Sequence, residues 1–206
     1  MNESKETIKY IFKYIIVGNA AVGKSNICYR FTKGEFIEQY QVTINLDFTY
    51  KNIKIGDNDY RIQIWDTVGQ ECFKSISRGY YKNSVCALVV YDITNRDTFN
   101  NVLSWIDEVK KNGPNTITLI LVGNKSDLND KRVISIEEGE NFAHNNNMLF
   151  YETSALTGDN INKLFEDSIR HITDKIKRNY YDLGTEECGI KIEYNKNPKK
   201  KKKKFC

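Results

Sequence analysis

The sequence predicts an α/β fold: a mostly parallel sheet of six strands, one of them antiparallel, with helices on both faces. Three observations predict it. Short apolar runs alternate with stretches of helical periodicity along most of the chain. Two of these runs, "VCALVVYD" and "ITLILVG", are short and largely apolar without alternation, as in strands buried on both faces. A third run, "YIFKYIIVG", leads straight into "GNAAVGKS", which fits the phosphate-cradling pattern G-x-x-x-x-G-K-[ST] between a strand and a helix.

The elements follow in order. The first strand ends at Val17, and a helix should open after the loop. "FTYKNIKIGDNDYRIQIWD" reads as two strands around a turn at Gly56-Asp57-Asn58, a hairpin that supplies the antiparallel strand. Between the two largely apolar strands, Phe99, Val102, Leu103, Ile106 and Val109 recur at helical steps, and Lys111-Asn112-Gly113-Pro114 ends that helix. Ser135 followed by Glu138 predicts a capping box that opens another helix. "MLFY" is the sixth strand. Ile161, Leu164, Phe165, Ile169, Ile172 and Ile176 mark a final amphipathic helix. No internal repeat is seen.

Residues 1–9 read as an N-terminal extension, 10–178 as one globular domain, and 179–206 as a flexible basic tail ending in cysteine. A chain of 206 residues, 40% of them hydrophobic, suits one core of this size. The start, "MNESKETIKY", lacks an apolar signal-peptide core, and no run of about 18 apolar residues occurs, which points to the cytosolic side. The five cysteines (Cys28, Cys72, Cys86, Cys188 and Cys206) form no C-x-x-C pair, which disfavours zinc and disulfide frameworks. Net charge is +4, and all of it lies after Asn179, where eight lysines face four acids. A neutral body argues against nucleic-acid binding by the domain.

In an open parallel sheet, ligands bind beyond the carboxyl ends of the strands. Four motifs fall there. In the first, Gly18, Asn19, Ala20, Ala21, Val22, Gly23, Lys24 and Ser25 form the phosphate loop: backbone N–H groups face phosphate oxygens, Lys24 pairs with the β- and γ-phosphates, and Ser25 binds Mg²⁺. The second is "DTVGQE". Its Asp66 could hold Mg²⁺ through water, Gly69 offers an N–H to a γ-phosphate, and Gln70, with donor and acceptor, could orient an attacking water. Alone, an ordinary turn explains it as well. The third is "NKSD", with Asn124, Lys125 and Asp127; the Asp127 carboxylate accepts from the N1–H and 2-amino group of guanine, neither of which adenine has. The fourth is "ETSAL", where the Ala155 N–H could reach guanine O6 and Ser154 could brace the loop. Together the four assign phosphates, metal, water and guanine to named groups.

With these motifs in this order and spacing, residues 10–178 resemble the Ras superfamily of small GTPases, and the Rab branch fits best. "INLDF", "RIQIWDTVGQE", "SISRGYYK" and "LVVYDIT" are similar to Rab stretches. The resemblance implies the G-domain fold of phosphate-loop NTPases. It implies that Thr43 binds Mg²⁺ and the γ-phosphate, and that Phe36 and Leu156 flank the guanine. Ile44, Phe48, Trp65 and Tyr80 would face effectors; from sequence alone, aromatics at these positions would more often be core. It further implies a GTP/GDP switch in vesicle traffic. Its partners would be an exchange factor, a GTPase-activating protein that raises slow hydrolysis about 10³–10⁵-fold, a GDP-dissociation inhibitor and effectors. The site would be the cytoplasmic face of endomembranes (Golgi, ER or endosomal vesicles), with a cytosolic pool.

Three positions depart from the family pattern. Val68 replaces a near-invariant alanine, Asn45 replaces a glycine, and Leu156 replaces a lysine. With Ala20 close to where Gln70 and an incoming arginine must fit, Val68 raises a second reading: a GTP-loaded protein that hardly hydrolyses. A phosphate-loop kinase or ATPase would need an arginine-bearing lid and an acceptor site, and neither is seen. "PKKKKKKFC" resembles a Rab tail. Prenylation of Cys206 with six lysines would make a two-signal membrane anchor. A solvated charge run or a nuclear-import signal are the other readings of the lysines.

Overall fold

The computed structural model describes residues 7–37, 48–66 and 78–195. It is an α/β fold around a seven-stranded sheet, with strand order β2-β3-β1-β4-β5-β6 and β7 on the flank of β1. The elements are β1 (Thr7–Gly18), α1 (Lys24–Lys33), β2 (Phe48–Ile55), β3 (Asn58–Asp66), α2 (Arg78–Tyr81), β4 (Cys86–Asp92), α3 (Arg96–Asn100), α4 (Val102–Asn112), β5 (Thr118–Asn124), α5 (Ile136–Asn145), β6 (Leu149–Thr153), α6 (Ile161–Lys177) and β7 (Ile190–Asn195). β1 pairs in parallel with β3 and β4, β4 with β5, and β5 with β6. β2 returns antiparallel to β3 through the Gly56-Asp57 turn.

Successive residues of a strand point to opposite faces, and β1 shows it. Phe12, Tyr14 and Ile16 enter one core with α1 and α6, whose Ile161, Leu164, Phe165, Ile169 and Ile172 are buried there. Ile15 and Val17 enter the other core with Ile106 and Val109 of α4. The single helix expected over 99–109 is two. Asn95 caps α3 by accepting from the Asp97 N–H, and Asn101 separates α3 from α4. Leu103, counted in the apolar stripe, is 52% exposed. Ser135 caps α5 by accepting from the Glu138 N–H, but the Glu138 carboxylate turns away to Arg96, so the box is made by half.

The largest difference from the sequence reading lies after α6. Residues expected as flexible tail return to the domain. Tyr181 is buried with its hydroxyl 3.3 Å from Thr118 Oγ1, and Cys188 is buried with its thiol toward the Asp182 and Thr185 carbonyls. β7 then pairs antiparallel with the first half of β1, from Phe12↔Ile190 to Thr7↔Asn195. This makes a second antiparallel pair and a seventh strand, and it draws Thr7–Lys9, read as N-terminal extension, into the sheet. The physical reason is period-two patterning in "IKIE": Ile190 and Ile192 pack on the core, while Lys191 and Glu193 face out. β7 runs away from the phosphate loop, so residue 195 lies at the opposite end of the sheet. Among the described residues no helix is long and apolar enough to cross a membrane.

Candidate functional site

The parallel strands β1, β3, β5 and β6 all end at one edge, which brings the four motifs together. The phosphate loop joins β1 to α1. Gly23 caps α1 at φ 98°, and a Cβ there would lie 2.3 Å from Asn124 Nδ2, so this position takes only glycine. Ala21 also holds a left-handed backbone, φ 62°, which costs an L-residue about 1 kcal/mol. Lys24 is buried and donates to the Gly18 and Asn19 carbonyls at 2.9 and 2.7 Å. Burial lowers its pKa to about 8, against the opposing pull of Asp66. The loop thus holds a buried ammonium at its centre, donating to two of its own carbonyls.

Asp66 ends β3 beside that lysine. Burial raises its pKa, and the Ser25 hydroxyl and Lys24 oppose the rise. Its Oδ1 is buried with no hydrogen-bond partner. An orphaned carboxylate oxygen beside a hydroxyl is a donor set of the hard-oxygen kind that Mg²⁺ takes.

On the base side, Asn124 is the hub. It is 1% exposed; its Nδ2 donates to the Val22 carbonyl at 2.8 Å, and its Oδ1 accepts from Thr153 Oγ1 at 3.2 Å and from the Ala155 N–H at 3.3 Å. One side chain therefore joins the phosphate loop to the ends of β5 and β6. Lys125 takes a left-handed backbone, φ 69°, and its ammonium meets Asp92 Oδ2 at 2.6 Å. Ser154, fully buried, donates to Asp127 Oδ1 at 2.5 Å and accepts from the Thr157 N–H at 3.0 Å. Behind them, Arg132 grips Glu152 with both nitrogens, at 2.5 and 2.7 Å, and fixes the end of β6. Leu156 is 49% exposed. Phe36 packs against the core cluster of α1 and α6.

The aromatics of the implied effector surface also converge. Phe48 stacks on Trp65 at 5.3 Å between ring centroids, and Tyr80 meets Trp65 edge-on at 5.6 Å. Lys13 lies 4.7 Å over the Trp65 ring and donates to the Lys82 carbonyl at 2.7 Å. Burial lowers its pKa to about 8. Phe48 is 46% exposed, so the cluster opens to solvent rather than closing into a core. Thr43, Ile44, Asn45, Val68, Gly69, Gln70 and Cys206 lie outside the described residues.

One participant escaped the sequence reading. Trp105 of α4 donates its indole N–H to Asn19 Oδ1 at 2.8 Å and so ties a third element to the phosphate loop. No motif signals it, because the pair is 86 residues apart. Trp105→Phe removes the donor and keeps the ring. GDP dissociation should rise about fivefold, the equivalent of one neutral hydrogen bond of ~1 kcal/mol. Release of a fluorescent GDP checks this; an unchanged rate refutes the tie.

Such an edge belongs to a nucleotide-binding domain of the phosphate-loop class, whose phosphate loop Asn124 ties to the ends of β5 and β6. The chain belongs to the Ras family, whose model matches residues 13–174. It is therefore a small GTPase, a GTP-binding switch; GTPases of this family hydrolyse GTP and bind GTP, GDP and Mg²⁺, together with regulators.

Proposed function

We propose that this chain is a Rab-type switch: it binds GTP, hydrolyses it slowly, and recruits effectors that direct vesicle traffic. The observation that carries the Rab assignment is the Phe48–Trp65–Tyr80 cluster at the end of β3, with Phe48 exposed and the other two rings half-buried, beside the phosphate edge. The similarity of "INLDF" and "SISRGYYK" to Rab stretches supports the same reading.

In this reading the phosphate-loop N–H groups of residues 19–25 and Lys24 receive the β- and γ-phosphates. Asp127 accepts from the guanine N1–H and 2-amino group, with Asn124, Lys125, Ser154 and Ala155 holding that side of the base. Phe36 and Leu156 flank its faces. Ser25, Asp66 and Thr43 are the residues that would hold Mg²⁺, which when bound neutralises phosphate charge. Gln70 orients the water that attacks the γ-phosphorus, and Gly69 and Thr43 follow the γ-phosphate, so their loops relax once it leaves. Arg30, the arginine of α1, is committed to backbone carbonyls, which leaves an activating protein to supply the arginine that speeds hydrolysis. An exchange factor then releases GDP, and a GDP-dissociation inhibitor holds the cytosolic pool.

The test is the nucleotide in the purified protein and its single-turnover hydrolysis. Bound guanine nucleotide with turnover that an activating protein accelerates supports the switch. GTP retained through purification, with a gain in rate for Ala20→Gly combined with Val68→Ala, favours the GTP-loaded variant. Displacement by adenine nucleotides would overturn the guanine assignment.

The basic tail supplies the address in this reading. Prenylation of Cys206 and the lysines at 199–204 act together at an anionic endomembrane leaflet, each lysine adding ~1 kcal/mol. β7 supports it by delivering the chain to the sheet end away from the nucleotide, where a membrane leaves the switch surface free. Intact mass of protein expressed in eukaryotic cells should show one prenyl group; an unmodified terminus refutes the lipid.

A further inference from the structure

We infer that Arg30 is a positioning residue for base recognition: its guanidinium sets the loop that follows β6 and ties that loop to the chain segment leaving α1. Arg30 sits near the C-terminus of α1, the helix that begins at the phosphate loop. Its Nε donates to the Ala155 carbonyl at 2.9 Å, Nη1 to the Gly34 carbonyl at 2.8 Å, and Nη2 to the Leu156 carbonyl. Three carbonyls from two segments thus meet one planar fork. A guanidinium presents its donors in fixed directions, so three acceptors fix its plane, and the plane in turn fixes the acceptors.

The loop is then held from both sides. Asn124 Oδ1 takes the Ala155 N–H from the interior, and Arg30 takes the two following carbonyls from outside. Ser154 is anchored separately to Asp127. Without Arg30, the Ala155 and Leu156 carbonyls would lose their guanidinium partner, and the loop would be held by Asn124, Ser154, the Asp159 N–H on Thr157 Oγ1 and the packing of Ala155 in the core. The bond at Asn124 is long, 3.3 Å, so it does not set the height of the loop alone. Gly34 is the C-cap of α1, with its N–H on the Arg30 carbonyl at 2.9 Å, and the chain runs from it to Phe36. Arg30 therefore joins the base loop to the start of the segment that leads to Thr43. A lysine would reach one acceptor and leave the other two to water.

The inference rests on the reading that the Ala155 N–H meets guanine O6, and the test separates the two. Dissociation of GDP is compared with that of 6-thioguanosine 5′-diphosphate, which keeps the N1–H and 2-amino group and replaces O6 with a weakly accepting sulfur, in wild type, Arg30→Ala and Arg30→Lys. Amide hydrogen exchange is followed in the GDP-bound proteins. In the wild type the analogue should leave faster than GDP. In Arg30→Ala, GDP release should rise about tenfold, as expected for one charged hydrogen bond, while analogue release changes little, so the ratio contracts. Arg30→Lys should recover only part of the ratio, and exchange should quicken at 155–158 in Arg30→Ala. Equal acceleration of both nucleotides with unchanged exchange at 155–158 overturns the positioning role. If wild type releases both nucleotides alike, the Ala155–O6 reading fails. Exchange at 155–158 then decides Arg30 by itself: faster in Arg30→Ala supports it, and unchanged refutes it.

Discussion

Asn124→Ala should weaken GDP binding by about 100-fold or more. The Asn124 side chain satisfies three polar groups at once: the Val22 carbonyl, the Thr153 hydroxyl and the Ala155 N–H. Val22, Thr153 and Ala155 are all buried, so water cannot readily replace the lost partner. Leaving a buried polar group unpaired costs about 1–3 kcal/mol, and two such losses felt in the bound state amount to about 100-fold. The phosphate loop is hit twice, because Gly23 packs directly on Asn124 Nδ2. Equilibrium competition against a fluorescent GDP measures the effect, and thermal unfolding without nucleotide separates it from global damage. A loss below about threefold would show that the link between the two loops does not carry binding energy.

Gly189→Ala should be the most destabilising change far from the nucleotide. Gly189 has φ 77°, and a Cβ there would sit 2.4 Å from the Val85 N atom, 2.5 Å from the Ser84 carbonyl carbon and 2.7 Å from the Asn83 oxygen. All three atoms are backbone, so no side chain can swing aside. The Gly189 carbonyl also accepts from the Lys13 N–H at 3.0 Å, which starts the β1–β7 ladder. Overpacking costs about 1–3 kcal/mol and a left-handed L-residue ~1 more, so a loss of about 3 kcal/mol and a fall in Tm of roughly 6–12 °C are expected. GDP release should change little, since the joint lies at the other end of the sheet. A chain truncated after Arg178 marks the limit: a Gly189→Ala protein as unstable as the truncation has lost β7. A Tm within 2 °C of wild type, on a domain of this size about 1 kcal/mol or less, would refute the joint.

These two variants separate what local pattern encodes from what folding adds. The phosphate loop is legible because its pattern fixes residue types at fixed spacing: glycine where the backbone must approach, as at Gly23 against Asn124, and a lysine whose charge sits at the loop. Asn124, Lys125 and Asp127 are legible because an apolar strand points at them. Ser154 is legible only once "ETSAL" is placed on the same edge. The hairpin, the buried strands β4 and β5 and the stripe of α6 follow from periodicity, which the burial of each element bears out.

The rest depends on contacts between distant residues. β7 carries an alternating "IKIE", but it sits in a stretch whose glycine, asparagine and acids read as linker, and only the free edge of β1 at Thr7–Phe12 gives it a partner. The Asn95 cap starts α3 and Asn101 divides it from α4, a break that the apolar periodicity does not signal. Trp105 and Arg30 act on residues 86 and 125 positions away, through an indole N–H and a guanidinium that no spacing rule marks. The exposed Phe48 and half-buried Tyr80 are aromatics that hydrophobic patterning alone would send inward.

The sequence by itself determined the fold class and the places of the phosphate-loop and "NKSD" patterns after β1 and β5, since each is a short pattern that specifies its own backbone. Only the tertiary structure decided that Asn124 joins the two loops, that Arg30 and Trp105 hold them from outside, and that the segment after α6 closes the sheet against β1. Hydrogen bonds and packing between remote positions form only when the fold brings the partners within a few ångströms, and one-dimensional spacing carries no record of that distance.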